Sequence, residues 1–392
     1  MELNFKTAEE VVTEVLKTEG YWIYTNHGKL LDTMCGNMAF IYGYDNEFIL
    51  NRMYKQQRQL AYLNFKHNEV CEANDRLVEL LCKEGKFAGI GYAVSGTDGV
   101  ECAVAMNSHY WRSVDPTRKT IISFSPGYHG ATYLCRSFRG EEEHANVKVL
   151  TAPEWRKLED REAHEEQAFL RVRHLLETDK TVGAIIMESI PWAASIRPWS
   201  TKWWQDIRNI CTTFGVNLIV DDVMGGMGKL GYRFSQERYG VQPDIVALGK
   251  ALTGGLSPLS CACAVERISD VIKDKWDYGH TWQPNMAGVG AALAVWEIFD
   301  TKKILDIEDQ LTMLGAKLTA MGLVRDCVVI GLIFSYKLTT PISADAYIKH
   351  GLTGGPDVKY SISGCAPAIA DAEYFREFEN RLINLLNCCK TI

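Results

Sequence analysis

Two adjacent carboxylates, Asp221 and Asp222, close the run Asn217-Leu-Ile-Val-Asp-Asp-Val223. Leu218, Ile219 and Val220 carry no polar alternation, the pattern of a strand buried on both faces. Taking a carboxylate out of water costs several kcal/mol unless a cation or several donors meet it, so the end of this strand needs a partner. The next apolar run, Asp244 to Leu248, is followed by Gly249 and a lysine, Lys250, which taken alone reads as a surface amine. Upstream, Ser95-Gly-Thr-Asp-Gly-Val-Glu-Cys-Ala-Val104 follows the strand-like Ile90–Val94 and leads into a helix. Its small residues, the hydroxyls of Ser95 and Thr97 and the unpaired N–H groups of a helix start can cradle a phosphate; a plain Ser N-cap accounts for the same residues. Gly127-Tyr-His-Gly130 adds an aromatic ring in a turn.

Two glycine patterns lead elsewhere. Gly226-Met-Gly-Lys-Leu-Gly231 formally matches a dinucleotide fingerprint, the basis for a nicotinamide-dependent oxidoreductase as the alternative from another enzyme class. The fingerprint should open a helix, whereas the sequence after it is short and broken by Gly240, and the acids before it would repel a pyrophosphate. Lys250 does not belong to a P-loop, since the required Gly and Ser or Thr are absent. The 12 cysteines are scattered, and Cys261-Ala-Cys263 and Cys388-Cys389 lack zinc-site spacing, so they read as reduced, buried thiols with no metal.

Taken together, the lysine, the carboxylate, the phosphate cradle and the aromatic turn are the parts of a pyridoxal-phosphate site. In it Lys250 forms the Schiff base, the phosphate sits on Gly96 and Thr97, and Tyr128 and Val223 lie against opposite faces of the ring. The partner of Asp221 is then the pyridinium nitrogen. At about 4 Å and an effective dielectric of ~20 that pair attracts by ~4 kcal/mol, enough to hold the proton over roughly three pKa units.

The elements that must position these residues are legible around them. Apolar runs at 90–94, 120–124, 182–187, 217–222, 244–248 and 259–265 read as strands, alternating with helical patterns at Asp98–Trp111, Leu158–Thr178 and Thr201–Phe214, the last capped by Ser200. This predicts an α/β fold, a large domain with a mostly parallel sheet flanked by helices and the site at the strand carboxyl ends. Thr7–Leu16 reads as a short helix with a capping box, and Gly20–Asp32 as a hairpin turning at Asn26-His27-Gly28. After Pro284 come a long apolar helix, a second one at Ile304–Met321, a strand-like run at 327–338 and a last helix at Asp371–Asn387. The expected division is an N-terminal segment at 1–48, a large cofactor-binding domain at 49–284 and a C-terminal segment at 285–392, the two ends forming a smaller α+β domain. Over 392 residues the composition is globular, 47% hydrophobic and 23% charged, and the net charge of −7 offers no field for nucleic acid. With no apolar span, no leader-like start and many thiols, the expectation is a cytoplasmic protein that engages neither membrane nor nucleic acid.

In this order the motifs resemble the class III (ω-type) pyridoxal-phosphate-dependent aminotransferases of fold type I, a family that includes glutamate-1-semialdehyde aminomutase. The segment at 95–104 resembles the family's S-G-T-E-A-x-E-A phosphate loop, and Gly127–Gly130 its ring-stacking turn, which puts Tyr128 and His129 at the cofactor. Ile185–Ser189 resembles the strand bearing a glutamate, here Glu188, and 218–231 resembles L-I-x-D-E-V-x-x-G-x-G-R-x-G. Residues 243–262 resemble the lysine segment. The resemblance implies that Asp221 pairs with the ring nitrogen, that Lys250 is both anchor and acid/base, and that Thr281 gives its hydroxyl to the cofactor phosphate of a neighbouring subunit in a homodimer. The implied activity is transfer of an amino group between an amine or amino acid and a carbonyl compound; a 2,1-aminomutase or a decarboxylase would use the same residues. Asp222, Gly225 and Lys229 depart from the family's Glu, Thr or Ser, and Arg. Behind Glu188 the family's usual Pro and Gln or Gly give way to Ser189-Ile-Pro-Trp-Ala-Ala-Ser195, where Trp192 is a candidate pocket residue with core packing as its alternative, and Arg136, Arg139, Arg197 and Arg325 are candidates for a substrate carboxylate.

Overall fold

The structure, a computed structural model, describes residues 14–64, 70–153, 158–192, 196–353 and 361–389. Among the described residues thirteen strands form three sheets: β1 (Val15–Glu19), β2 (Trp22–Thr25) and β3 (Gly28–Leu31); β4 (Gly89–Ala93), β5 (Thr120–Ser125), β6 (Val147–Thr151), β7 (Val182–Glu188), β8 (Asn217–Asp221), β9 (Ile245–Leu248) and β10 (Ser260–Ala264); and β11 (Val324–Ile330), β12 (Ile333–Leu338) and β13 (Ser361–Cys365). The chain divides into two compact units, Met1–Glu47 with Asp300–Ile392, and Phe48–Phe299.

In the second unit the strand order is β4-β10-β9-β8-β7-β5-β6. β5, β6, β7, β8 and β9 run parallel, while β10 is antiparallel to both β4 and β9, so β4 shares the direction of the others. The continuous apolar runs follow from this burial on both faces. Leu218, Ile219 and Val220 are fully buried, as are Ala184, Ile185 and Ile186. Each large aliphatic side chain so buried contributes about 1.5–3 kcal/mol.

The helices carry the punctuation read from the sequence. Thr201–Phe214 starts where the Ser200 hydroxyl accepts from the Trp203 N–H and stops at Gly215, whose φ of +63° suits a residue without Cβ. It buries Trp203, Trp204, Ile207, Ile210 and Cys211 on one face. The helix Gly96–Val114 is fixed across the sheet by Trp111 Nε1, which donates to the Gly183 carbonyl at 2.8 Å. Met286–Ile298 is apolar on nearly every side because it is buried; at Gly290 a Cβ would fall 2.8 Å from the Arg52 carbonyl of the helix Glu47–Gln59. Among the described residues no helix is long and apolar enough to cross a membrane.

In the first unit β1–β3 form one antiparallel sheet and β11–β13 another. The hairpin at Gly20–Asp32 turns at Asn26-His27, with Gly28 at φ +116°. Asp32 locks the chain after it, accepting from the N–H groups of Met34 and Gly36 and from the hydroxyls of Tyr44 and Thr353.

Several local expectations differ from the structure. The helix expected over Thr7–Leu16 lies mostly outside the described residues, and its last two residues, Val15 and Leu16, belong to β1. The single run at 327–338 is a hairpin, β11 and β12, because Gly331 takes a φ of +59° between them. β6, not anticipated, pairs only with β5 as a half-exposed edge strand. Gly226–Gly231 forms turns with no helix opening at it, which removes the structural basis of a dinucleotide fingerprint.

Candidate active site

Because β4, β5, β7, β8 and β9 share a direction, their carboxyl ends and the segments following them lie along one edge of the sheet, and every sequence-derived residue except Thr281 and Arg325 comes from them. After β4, Ser95 caps the helix Gly96–Val114, its hydroxyl accepting from the Asp98 N–H at 3.2 Å, while Asp98 Oδ2 accepts from the Val94 N–H at 2.8 Å. Gly96 has to be glycine here: a Cβ would lie 2.5 Å from Val223 Cγ1. The turn after β5 rests on the same helix start, since a Cβ on Gly130, at φ +118°, would lie 2.4 Å from Thr97 Oγ1. A Cβ on Gly249 would sit 3.4 Å from Gly96 Cα and 3.5 Å from Val223 Cγ1. The ends of β4, β8 and β9 therefore converge on the helix start.

Asp221 is buried at the end of β8. Its Oδ2 is 2.8 Å from His129 Nδ1, and its Oδ1 accepts from the Val223 N–H at 3.2 Å. Only 2% and 5% of the His129 and Asp221 side chains are exposed. Burial opposes the His129 cation, but the hydrogen bond and charge of Asp221 outweigh it and hold the imidazole above its ordinary range. His129, expected at the cofactor, thus meets the carboxylate, a contact between residues 92 positions apart. Glu188 ends β7; its Oε2 accepts from the Tyr128 N–H at 3.0 Å and its Oε1 from the Trp192 N–H at 3.4 Å. Burial pushes its carboxyl up to about 7, with nearby His129 acting in the other direction. Tyr128 stays 38% exposed, so its ring is available to a ligand, and the Arg139 guanidinium lies 4.9 Å from the ring centroid.

Lys250 follows Gly249 with φ at +48°, a left-handed conformation uncommon outside glycine, and its Nζ lies 3.4 Å from Met224 Sδ. Unfavourable backbone is retained where the surrounding structure over-determines it, as functional sites do. Asp222, the second acid, points into the protein and accepts from the Ser235 N–H at 3.0 Å; burial pushes it up to about 6. The buried Lys229 ammonium donates to the Gly226 carbonyl at 2.9 Å. The glycine at 225 also has a cause, because a Cβ there would fall 2.3 Å from Ser189 Oγ. Thr281 is exposed, in a segment joined to Asp98 through Tyr278 and His280. Sequence reasoning missed that junction, although Ser95-x-x-Asp98 is a capping pattern that marks Asp98 as more than surface charge. Of the candidate arginines, Arg136 pairs with Glu141 and Glu142, Arg139 pairs with Glu141, Arg197 is half-buried and Arg325 is exposed on β11.

This donor set fits pyridoxal phosphate. A helix start stripped of side-chain bulk suits a phosphate ester, an amine stands at the end of β9, and a buried carboxylate hydrogen-bonded to an imidazole suits a protonated ring nitrogen.

Comparison with known proteins bears on the same point. The family model for aminotransferase class-III matches residues 5–357. An aminotransferase of Gibberella zeae is 29% identical over 314 residues, covering 72% of this chain and 60% of that protein. The adenosylmethionine-8-amino-7-oxononanoate aminotransferase of Synechococcus elongatus is 29% identical over 313 residues, covering 74% and 73%. The chain thus matches under two thirds of the first relative's length and more of the second's. Its fold is similar to that of an amine transaminase from an uncultivated Pseudomonas species, solved with pyridoxal phosphate bound, with a TM-score of 0.89 at 21% identity over 99% of this chain and 98% of the other. The α/β fold, the ordered motifs and the family match lead to one conclusion: the chain belongs to the class-III aminotransferases, a pyridoxal-phosphate-dependent family.

Proposed function

We propose that this protein moves an amino group between an amine or amino acid and a carbonyl compound, with Lys250 and Asp221 as its catalytic residues. The observation that carries the reading is the convergence of Gly96, Val223 and Gly249, which sets the helix start, the Asp221 turn and Lys250 around one small volume. When bound, pyridoxal phosphate supplies an aldehyde that condenses with amines and a ring that accepts electrons. Lys250 Nζ anchors it and, once an incoming amine has displaced it, holds and moves a proton as general base and acid. Asp221, hydrogen-bonded to His129 behind it, holds the proton on the ring nitrogen. Ser95, Gly96 and Thr97 receive the phosphate, Tyr128 and Val223 border the ring, and Glu188 and His129 fix the turn and the acid that do so. Thr281 serves the phosphate of a neighbouring copy, which makes the working protein a homodimer. The many scattered cysteines suit a cytoplasmic location.

The test is Lys250→Ala. It is expected to abolish turnover while the purified protein still binds the cofactor without a covalent link, read as failure of borohydride to fix it. Substantial turnover without added amine would overturn the role given to Lys250. Incubating the wild type with one amine and no carbonyl acceptor separates transamination from the aminomutase and decarboxylase alternatives, because a mutase completes its reaction without a second compound.

A further inference from the structure

The segment 275–280 is strapped along the helix Gly96–Val114 at three levels. Lys275 Nζ donates to Ser113 Oγ at 3.3 Å, His109 Nε2 is 2.9 Å from Asp277 Oδ1, and at the helix start the Tyr278 hydroxyl donates to Asp98 Oδ1 while His280 Nε2 lies 3.0 Å from Asp98 Oδ2. Tyr278 also donates to the Asp98 carbonyl at 3.2 Å. Beyond His280 the chain closes on itself: the His280 N–H donates to Gln283 Oε1 and the Gln283 N–H to the His280 carbonyl. Thr281 and Trp282 are left exposed at the apex, Trp282 by 70%.

Asp98 is the last anchor before Thr281, and it also closes the cap of the helix that is read as the phosphate cradle. We propose that Asp98 is a positioning residue that makes the cradle of one subunit and the Thr281 apex it offers to a neighbour a single body. The inference rests on the reading above, in which Thr281 reaches the neighbour's phosphate. Burial alone would raise the Asp98 carboxyl, yet the bonds from Tyr278, His280 and the Val94 N–H bring it below its ordinary range, in line with an anion held by its partners.

The tether can be cut without touching the cap by Tyr278→Phe, and its target removed by Thr281→Val. The readout is the rate at which the holoenzyme loses pyridoxal phosphate, followed by the absorbance of the bound cofactor, with circular dichroism checking the fold of each variant. Loss of one hydrogen bond to a charged group is expected to speed release about tenfold in Tyr278→Phe. If the tether acts through Thr281, the double variant releases cofactor no faster than Thr281→Val alone. Asp98→Glu, which keeps the charge, is expected to release more slowly than Asp98→Ala. Additive effects in the double variant, or an unaltered rate in Tyr278→Phe beside a faster one in Thr281→Val, would overturn the tether and leave the role of Thr281 standing. An unaltered rate in Thr281→Val would overturn that role, and the inference with it.

Discussion

Replacing Asp221 by Asn changes one oxygen of a pair almost wholly out of water, and its effect on folding depends on pH with a definite sign. In the native chain the imidazole of His129 keeps its proton above its ordinary range. Between about pH 6.5 and that raised value the folded chain binds more protons than the unfolded one, so the pair's contribution is fully present below about pH 6.5 and is lost as pH rises through the raised value. Without the carboxylate, burial meets only the smaller opposing charge of Glu188, and the folded imidazole loses its main hold on the proton. The unfolded chain then binds the extra proton below about pH 6.5, and stability climbs toward that pH. Breaking a buried charged pair costs about 3–5 kcal/mol, whereas a neutral hydrogen bond is worth ~1 kcal/mol. The difference between wild type and Asp221→Asn should therefore approach the larger figure below about pH 6.5 and shrink toward the smaller as pH rises through the raised His129 value. Urea unfolding of the cofactor-free protein across that range reads it directly, with His129→Gln as the background in which the same substitution keeps only the smaller pH dependence that Asp221 imposes on Glu188. A difference that is flat with pH, or that grows as pH rises, would refute the assignment of the proton to His129.

Other substitutions test the supports of the site. Gly96→Ala sets a methyl 2.5 Å from Val223 Cγ1 and is expected to cost about 1–3 kcal/mol in denaturant unfolding, partly recovered by Val223→Ala in the same chain. Ser200→Ala removes both the cap on Trp203 and the hydroxyl that donates to the buried Glu165. It is expected to cost about 1–3 kcal/mol. Burial already raises the Glu165 carboxyl, with the Ser200 hydrogen bonds opposing it, so the loss in this variant should grow as pH rises through the Glu165 value; a loss that falls with pH would contradict this.

Much of the sheet, and the gathering of the candidate residues at its strand ends, could be read from the chain because they rest on local pattern. Residues 217–221 announce a two-sided strand, Ser200 and Gly215 bracket a helix, and Asn26-His27-Gly28 marks a hairpin. What escaped depends on contacts between distant residues. The partner of Asp221 in the folded chain is His129, and nothing near either residue announces it. The anchors of the Thr281 segment lie on a helix read for its cap alone, and Asp98 meets Tyr278 across 180 positions. β6 escaped because an edge strand is only half covered and its Val-Lys-Val-Leu-Thr sequence lacks a continuous apolar run.

The antiparallel β10 lodged between β4 and β9 works as a spacer. Neighbouring strands stand about 4.8 Å apart, so β4 and β9 themselves lie roughly 10 Å from each other, yet the turns leaving them bend together over the end of β10 until a Cβ on Gly249 would sit 3.4 Å from Gly96 Cα. A ligand that engages both turns can therefore be compact at that end, so the inward bend of the turns, and not the pitch of the sheet, sets the size of what is held there.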